Sequence, residues 1–454
     1  MTPPSAVKAP PFDGGWGLVV AVAAHAVLVL AMGMYRCSGV FFTSWLHEFE
    51  ASALSTGAIG SIIGSCAFFA SPLAAFVCDR YGCRFAGILG GMVTVVGLFA
   101  SCWVRTIYQM YVAGAITGCG TSFAVMTAVV VVNEYFKKYF AIANGFVMSG
   151  VGVGMVVQPL LLRLLLDGYG WRGALMILAG LSANLCVAGA LFRPLKLQWG
   201  RTESKRGEDL ELQRGEDEQT NATMLSSNED NPRSVQDGDE RAYRGCLSKV
   251  LSALGFDLLL KNSRFALYCI IQTEVNISYL AYIVFIVPRS ESIDAEGASA
   301  ASLVSIIGFG SLFGRLMSGC LINRKLTAED VYVGSTLICF VGVLSAQLDT
   351  YAAFAVSAAL VGLGTGLMKA AHNVLVRDFV GVTRFGRGLG MTDIFRGTGD
   401  LLGPIIAGQL YDVTGSYAAI FYVLAAILLL IPFQMVVLMP ILKRLNRASC
   451  SCFD

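Results

Sequence analysis

Ionisable side chains inside long apolar stretches are the residues of this chain best suited to chemistry. Arg315 lies in GFGSLFGRLMSG and Glu274 in QTEVNIS, and both segments are otherwise uncharged. A charge inside a membrane-spanning helix costs at least about 2–3 kcal/mol, so such a residue is a functional candidate. A guanidinium offers a planar two-pronged donor to a carboxylate. These residues indicate non-covalent binding of an anion, with glutamate as a proton carrier or simply a pairing acid.

A later apolar stretch carries three charges on one helical face. Asp393, Arg396 and Asp400 have the spacing i, i+3 and i+7. They form either a self-neutralising ladder or part of a cavity wall. We favour a mixture, with Asp393 and Arg396 as a structural pair and Asp400 as the exposed member. Lys369 and His372, in the preceding stretch, are further candidates for the same cavity.

Composition places these residues in a membrane. Of the 454 residues, 55% are hydrophobic and 14% charged, whereas soluble domains carry about 25% charged residues. The net charge of +2 gives no basic surface for nucleic acid. The 13 cysteines and three histidines show no metal-ligand spacing. The glycine runs at 150–154 and 362–366 lie inside apolar stretches, which favours helix packing over a nucleotide site. We therefore predict no metal, no cofactor and no enzymatic activity.

Twelve apolar stretches of spanning length predict an all-α protein embedded in the lipid bilayer. Lys and Arg concentrate in the short loops after even-numbered spans, which places both termini in the cytosol. The predicted regions are a cytosolic N-terminal tail (1–14), a first six-helix half (15–193), a cytosolic linker (194–263), a second six-helix half (264–440) and a cytosolic C-terminal tail (441–454). The linker is polar enough to be largely disordered, except for an amphipathic helix near 246–260.

The two halves are related by an internal repeat. A shift of about 244–245 residues aligns the segment from Gly118 with that from Gly362, and several later glycines with each other. The same shift places the charges of the second half on apolar residues of the first: Asp393 on Met148, Arg396 on Val151, Asp400 on Met155, Lys369 on Val125 and His372 on Ala128. The fold therefore does not require these charges.

FDGGWG opens the first span, and YFKKYFAIANGFVMSG opens the fifth. The two motifs resemble the signatures of the monocarboxylate transporter family. In the first motif Leu18 departs from the family's last aromatic residue, and the departures in the second are conservative. The residues that carry the resemblance are Asp13, Gly14, Gly15, Trp16, Gly17, Tyr135, Phe136, Lys138, Gly145 and Gly150. The resemblance covers nearly the whole chain except the linker.

This resemblance implies the major facilitator fold, with two pseudo-symmetric six-helix halves that rock about a midplane site. It implies a plasma-membrane secondary transporter of a small organic solute, such as a monocarboxylate, by alternating access. Because the family also carries amino acids, creatine and hormones, a facilitative carrier of a zwitterionic or uncharged metabolite is the alternative. A non-transporting solute sensor is the other. Some relatives need a single-span immunoglobulin-type ancillary subunit.

The resemblance also assigns roles to residues. Arg36 stands where the family's lactate carriers have a lysine that receives proton and anion; its alternative is to snorkel to the outer surface. Arg315 matches the family arginine that pairs with the substrate carboxylate. Ser311 stands where lactate carriers have a proton-coupling aspartate, so Glu274 and Asp400 are the remaining proton-coupling candidates. Proton symport is therefore an open expectation.

The inner loop between the second and third spans has a gating motif. DRYGCR resembles the superfamily motif at this position. We therefore expect Asp79 and Arg80 to lock the inner gate.

Overall fold

The computed structural model describes residues 15–36, 38–51, 53–193, 255–292, 297–324 and 326–442, and these residues are almost entirely helical, with no strand among them. The helices, in chain order, are α1 (Trp16–Arg36), α2 (Ser38–Phe49), α3 (Ala53–Phe69), α4 (Ser71–Tyr81), α5 (Cys83–Ser101), α6 (Ile107–Tyr135), α7 (Phe140–Ser182), α8 (Asn184–Leu191), α9 (Phe256–Lys261), α10 (Ser263–Glu291), α11 (Gly297–Arg324), α12 (Ala328–Ser345), α13 (Tyr351–Val380), α14 (Phe385–Thr414) and α15 (Tyr417–Phe433). A short 3-10 turn (Ala346–Leu348) follows α12, and a π-helical turn (Gln434–Leu438) follows α15.

Eight helices of the described chain are long and apolar enough to cross a membrane, or nine if α3 and α4 count as one bent span. One of the eight, Phe140–Leu191, has 52 residues and contains two predicted spans. α1 and α14 are not among the eight. The apolar part of α1 is shorter, and α14 carries the charges of the predicted triad. Each of the twelve predicted spans therefore falls on one or two of these helices.

Two glycines set the turns between neighbouring spans. Gly82 has φ +89° and separates α4 from α5, while Gly170 has φ +66° and breaks α7 between the fifth and the sixth predicted span. Residues with a Cβ rarely adopt this backbone conformation. Glycine therefore allows the chain to reverse within one or two residues.

The helix packing repeats between the two parts of the described chain. In residues 15–193, α1 packs on α7, α3 on α6, and α5 on both α6 and α8. In residues 255–442 the equivalent pairs are α10 with α14, α11 with α13, and α12 with both α13 and α15. The parts meet through α7 with α11 and α4 with α14. This is the pseudo-symmetric arrangement that the internal repeat predicts.

The two signature motifs meet at the end of α8. Trp16 Nε1 donates a hydrogen bond to the Leu191 carbonyl oxygen at 3.1 Å. The Arg193 guanidinium lies 4.0 Å above the Trp16 ring, and Tyr135 donates to the Arg193 carbonyl oxygen at 2.9 Å. A Cβ at Gly17 would lie 3.4 Å from the Phe136 ring. The motifs therefore join three helix ends on one side of the fold.

The remaining signature glycines bring helices together. A Cβ at Gly150 would lie 2.5 Å from the His25 carbonyl oxygen of α1, and one at Gly145 would lie 2.8 Å from the Arg315 carbonyl oxygen of α11. Lys138 lies 5.3 Å from the Tyr139 ring centroid. Residues 1–14, with Asp13 and Gly14, lie outside the described residues, and so do 443–454.

The predicted linker falls mostly outside the described residues, which resume at 255. Of the predicted amphipathic helix near 246–260, only α9 is described, and its Leu258 is buried. The limits of the tails, linker and halves stay predictions.

Candidate functional site

A cavity of about 90 Å³ lies between residues 15–193 and residues 255–442. The side that we call the first wall comes from α1, α3, α4, α6 and α7: Leu28, Ala31, Met32, Ala67, Phe68, Ser71, Thr121, Ser122, Val125, Met126, Val129, Met148 and Val151. The second wall comes from α11, α13 and α14: Arg315, Lys369, Asn373, Leu389, Asp393 and Arg396.

The first wall is apolar apart from three hydroxyl groups. Ser71 donates to Asp393 across the cavity, and Thr121 donates to the Gly118 carbonyl oxygen of its own helix at 2.8 Å. Ser122 is 4% exposed, and its Oγ has no hydrogen-bond partner among the described residues. Since buried polar atoms are normally hydrogen-bonded, this hydroxyl is available to a solute or to water.

Arg315 is the most deeply buried charge on the second wall, with 3% of its surface exposed. A Cβ at Gly314 would lie 2.8 Å from the Leu367 amide nitrogen of α13, and a Cβ at Gly145 of α7 would lie 2.8 Å from the Arg315 carbonyl oxygen. α11 is therefore held by close helix contacts on both sides of this residue. The guanidinium is presented to the cavity at a fixed depth, where it can hold a carboxylate through two hydrogen bonds.

Lys369 of α13 also lines the cavity, as the sequence analysis suggested. Its Nζ lies 3.7 Å from the centroid of the Tyr279 ring of α10. A cation over an aromatic face is attracted by the ring quadrupole. This contact places a second positive charge beside the cavity.

The predicted pair of Asp393 and Arg396 is confirmed. Arg396 Nη1 donates to Asp393 Oδ1 at 2.8 Å, and both side chains are mostly buried. Ser71 Oγ of α4 donates to Asp393 Oδ2 at 2.6 Å, so this carboxylate also joins the two walls. The Arg396 guanidinium lies 5.2 Å from the Phe68 ring centroid of the first wall.

The prediction that Asp400 is the exposed member of the triad is wrong. Asp400 is 8% exposed and does not line the cavity. A Cβ at Gly399, the residue before it, would lie 3.0 Å from Asn276 Cβ and within van der Waals distance of the α10 backbone. α14 therefore packs too tightly on α10 at this level to leave Asp400 exposed.

Three other candidates do not line the cavity. His372 is buried and shares hydrogen bonds with Tyr268 (2.8 Å) and Thr392 (3.4 Å). Ser311 is buried where α11 and α13 touch, since a Cβ at Gly366 would collide with its backbone. Glu274 Oε1 accepts a hydrogen bond from Gln434 Nε2 at 2.9 Å, away from the cavity. Their roles in binding or proton coupling stay predictions.

The predicted gate residues lie at the junction of α4 and α14. Asp79 Oδ2 accepts a hydrogen bond from Arg387 Nε at 3.2 Å, and Arg80 is exposed. Asn133 Nδ2 donates to the Val382 carbonyl oxygen at 3.1 Å nearby. These contacts join the two parts of the chain on the Lys- and Arg-rich side. Arg36 is the last residue of α1, and its side chain lies outside the described part of the structure.

Sequence reasoning missed an asparagine pair at the cavity wall. Asn144 Nδ2 donates to the Ala370 carbonyl oxygen at 2.8 Å, and Asn373 Nδ2 donates to Asn144 Oδ1 at 2.7 Å. The pair joins α7 to α13, and Asn373 lines the cavity. The position of Asn144 inside the second signature was the available signal. Among the described residues, no group of three or more His, Cys, Asp or Glu could hold a metal ion.

The cavity walls occupy equivalent positions of the internal repeat. Under the same shift of about 244–245 residues, five residues of the first wall fall on five of the second, and all ten line the cavity: Ser71 on Arg315, Val125 on Lys369, Val129 on Asn373, Met148 on Asp393, and Val151 on Arg396. The site is thus pseudo-symmetric in backbone and asymmetric in charge.

The fold and this central cavity define the class of protein. The model of the Major Facilitator Superfamily matches residues 24–326 and 265–449, so the chain is a multi-pass membrane protein of that superfamily and a secondary transporter. Within it, the chain belongs to the monocarboxylate transporter family. It is 30% identical to mouse monocarboxylate transporter 6 over 419 residues, covering 90% of this chain and 84% of that one. It is 29% identical to monocarboxylate transporter 12 of Xenopus laevis (91% and 86% covered) and 28% identical to human monocarboxylate transporter 2 (90% and 82% covered).

Solved structures share the fold at low sequence identity. The crystal structure of the human organic anion transporter MFSD10 (TETRAN) superposes with a TM-score of 0.65 at 13% identity, covering 92% of this chain and 99% of that one. The proton:xylose symporter XylE superposes with a TM-score of 0.64 at 11% identity, covering 92% and 95%. At these identities the similarity concerns the fold alone.

Proposed function

We propose that this protein transports a small carboxylate-bearing solute across the plasma membrane by alternating access, with no covalent chemistry. The observation that carries the proposal is the buried Arg315 guanidinium on the wall of the central cavity. The names of the relatives as monocarboxylate transporters support it. Asp393 already accepts hydrogen bonds from Arg396 and Ser71. A carboxylate therefore suits the cavity better than a zwitterion, whose ammonium group would need Asp393.

The alternating states use the contacts between α4 and α14. The ion pair of Asp79 and Arg387 holds the Lys- and Arg-rich side closed, and by the positive-inside rule this side is cytosolic. The described conformation then has its cytosolic gate closed, and both termini are cytosolic. Labelling of epitopes at the two termini in intact and in permeabilised cells tests this orientation; labelling of either terminus in intact cells would contradict it.

Proton coupling is expected to be weaker than in lactate carriers, because Ser311 stands at the aspartate position and cannot carry a proton at physiological pH. A single-span immunoglobulin-type partner remains a proposal from the family. Surface expression and uptake, each measured with and without such a partner, test this proposal. Equal uptake in both conditions would contradict it.

The function is tested by uptake into proteoliposomes from a panel of radiolabelled carboxylates, amino acids and uncharged metabolites. We expect Arg315→Lys to lower carboxylate uptake about 10-fold to 100-fold, because hydrogen bonds to charged groups contribute about 1.5–3 kcal/mol each. Arg315→Gln should lower it further. Arg264→Lys is the matched control, since Arg264 pairs with Glu329 in a partly exposed ion pair outside the cavity.

Two outcomes would contradict this proposal. Normal carboxylate uptake by both Arg315 variants, at normal protein level, would remove Arg315 from the site. Uptake of uncharged metabolites only, or binding without uptake, would favour the facilitative carrier or the sensor.

A further inference from the structure

We propose that the solute is an amphipathic carboxylate, whose charged head lies on the second wall and whose apolar body lies on the first. This inference rests on the proposed function, because it assumes that Arg315 receives the carboxylate. It goes beyond it by fixing the orientation of the solute and the chemistry of the rest of the molecule.

The head is placed by the distribution of charge. Among the described residues that line the cavity, every charged side chain belongs to the second wall: Arg315, Lys369, Asp393 and Arg396. With three cations and one carboxylate, the second wall has an excess of positive charge, and this charge attracts an entering anion. A carboxylate therefore turns towards α11 and α13.

The body is placed by the side chains opposite. The first wall presents apolar side chains from α1, α6 and α7, namely Leu28, Met32, Val125, Met126, Met148 and Val151. Three of these are the repeat partners of Lys369, Asp393 and Arg396. Each of those three charges therefore has an apolar group at its pseudo-symmetric position, whereas Arg315 has Ser71.

A small hydroxylated anion fits this arrangement poorly. Its polar end would leave water for an apolar wall, where a polar group without a partner is unfavourable. The exception is Ser122, whose hydroxyl can serve a single polar substituent. An alkyl or aromatic body binds more tightly instead, because each methylene that leaves water for this wall raises the affinity about 4-fold. Methionine side chains adapt to bodies of different shape.

The experiment measures how affinity depends on chain length. Straight-chain 2-hydroxycarboxylates from three to six carbons compete with uptake of the best labelled carboxylate of the panel, at neutral pH where they are ionised. Binding to purified protein is measured in parallel by thermal shift. We expect the inhibition constant to fall about 4-fold per added methylene until the cavity is filled.

Two isosteric variants of the first wall test its role. Val125→Thr and Met148→Gln should reduce the gain per methylene to less than about 2-fold. Arg315→Lys should weaken every member of the series by the same factor and leave the gain per methylene unchanged. Val112→Thr is the control on the same helix as Val125, because Val112 lies on the outer surface of α6. It should leave the series unchanged.

The outcomes separate this inference from the proposed function. Carboxylate uptake with equal or rising inhibition constants along the series would overturn the inference and leave the function standing. So would an undiminished gain per methylene in both first-wall variants. No uptake and no binding of any carboxylate would overturn the function and the inference together.

Discussion

The two walls of the cavity have the same origin in the repeat but different chemistry. Where the first wall has Val125, Met148 and Val151, the second has Lys369, Asp393 and Arg396. The helices that carry them pack in the same pairs. The repeat therefore preserves the helix pairs in both parts, while the charged side chains among the described lining residues all belong to one wall.

The largest effect is expected when the second wall is given a residue of the first. Asp393→Met leaves the largely buried Arg396 without its carboxylate, and breaking a buried ion pair costs about 3–5 kcal/mol. We expect a marked fall in the apparent melting temperature of the purified protein and loss of uptake.

The double variant Asp393→Met with Arg396→Val copies the first wall, where Met148 and Val151 need no partner. It should recover most of the melting temperature, because a buried pair can be replaced by apolar residues with little loss. A double variant as unstable as Asp393→Met alone would show that the two walls are not interchangeable in packing.

A smaller effect is expected from two glycines at equivalent positions of α7 and α14. Gly145 and Gly390 are repeat partners, and a Cβ at either would lie 2.8 Å from an atom of the opposite part, the Arg315 carbonyl oxygen or Pro72 Cα. Changing either to alanine should destabilise the protein by about 1–3 kcal/mol, as overpacking does. The two losses should be similar, because this contact is symmetric.

Gly334→Ala provides the control, since nothing lies within 4 Å of a Cβ at Gly334. It should be neutral or slightly stabilising, because alanine favours helix over glycine. The melting temperature and the uptake of all three variants are measured. A loss at Gly145 without one at Gly390, or the reverse, would contradict the symmetry of the packing.

The sequence was most informative where the argument was local. The spacing of Asp393 and Arg396 predicted their ion pair because both lie on one helix, and the repeat predicted that Lys369 and Val125 are equivalent. Prediction from the sequence failed where burial depends on how a helix is rotated against its neighbours. Asp400 is buried where α14 packs closely on α10, and His372 is buried with hydrogen bonds to Tyr268 and Thr392. Ser71 was missed because its partner is 322 residues away.

A modest effect is expected at the proposed gate, where an ion pair joins α4 to α14. The pair of Asp79 and Arg387 is partly exposed, with 31% and 38% of the side chains accessible. Such pairs contribute about 0.2–1 kcal/mol. Asp79→Asn should therefore shift the balance of inward- and outward-facing states by at most about 5-fold, measured by labelling of a cysteine in the cavity from each side.

The exchange of the two charges, Asp79→Arg with Arg387→Asp, should restore the original balance. A double variant with the same shift as Asp79→Asn would show that the gate depends on something other than this pair.

The smallest effect is expected at Glu274, a charge of the second part that lies outside the cavity. Its repeat position falls on the apolar Val29 or Leu30, as for the wall charges, but its carboxylate accepts a hydrogen bond from Gln434. Glutamine keeps an acceptor oxygen for that bond, so Glu274→Gln should leave uptake within about 2-fold of normal. Uptake is measured with the outside pH stepped between about 6 and 8, with and without a protonophore. If only the charges that line the cavity affect transport, uptake by the unchanged protein and by Glu274→Gln should depend weakly and equally on pH. Steep stimulation by acid that Glu274→Gln abolishes would make Glu274 the proton relay. Steep stimulation that survives the substitution would point to Asp393 or Asp400. If Asp393 were the carrier, the second wall would bind both the anion and its proton.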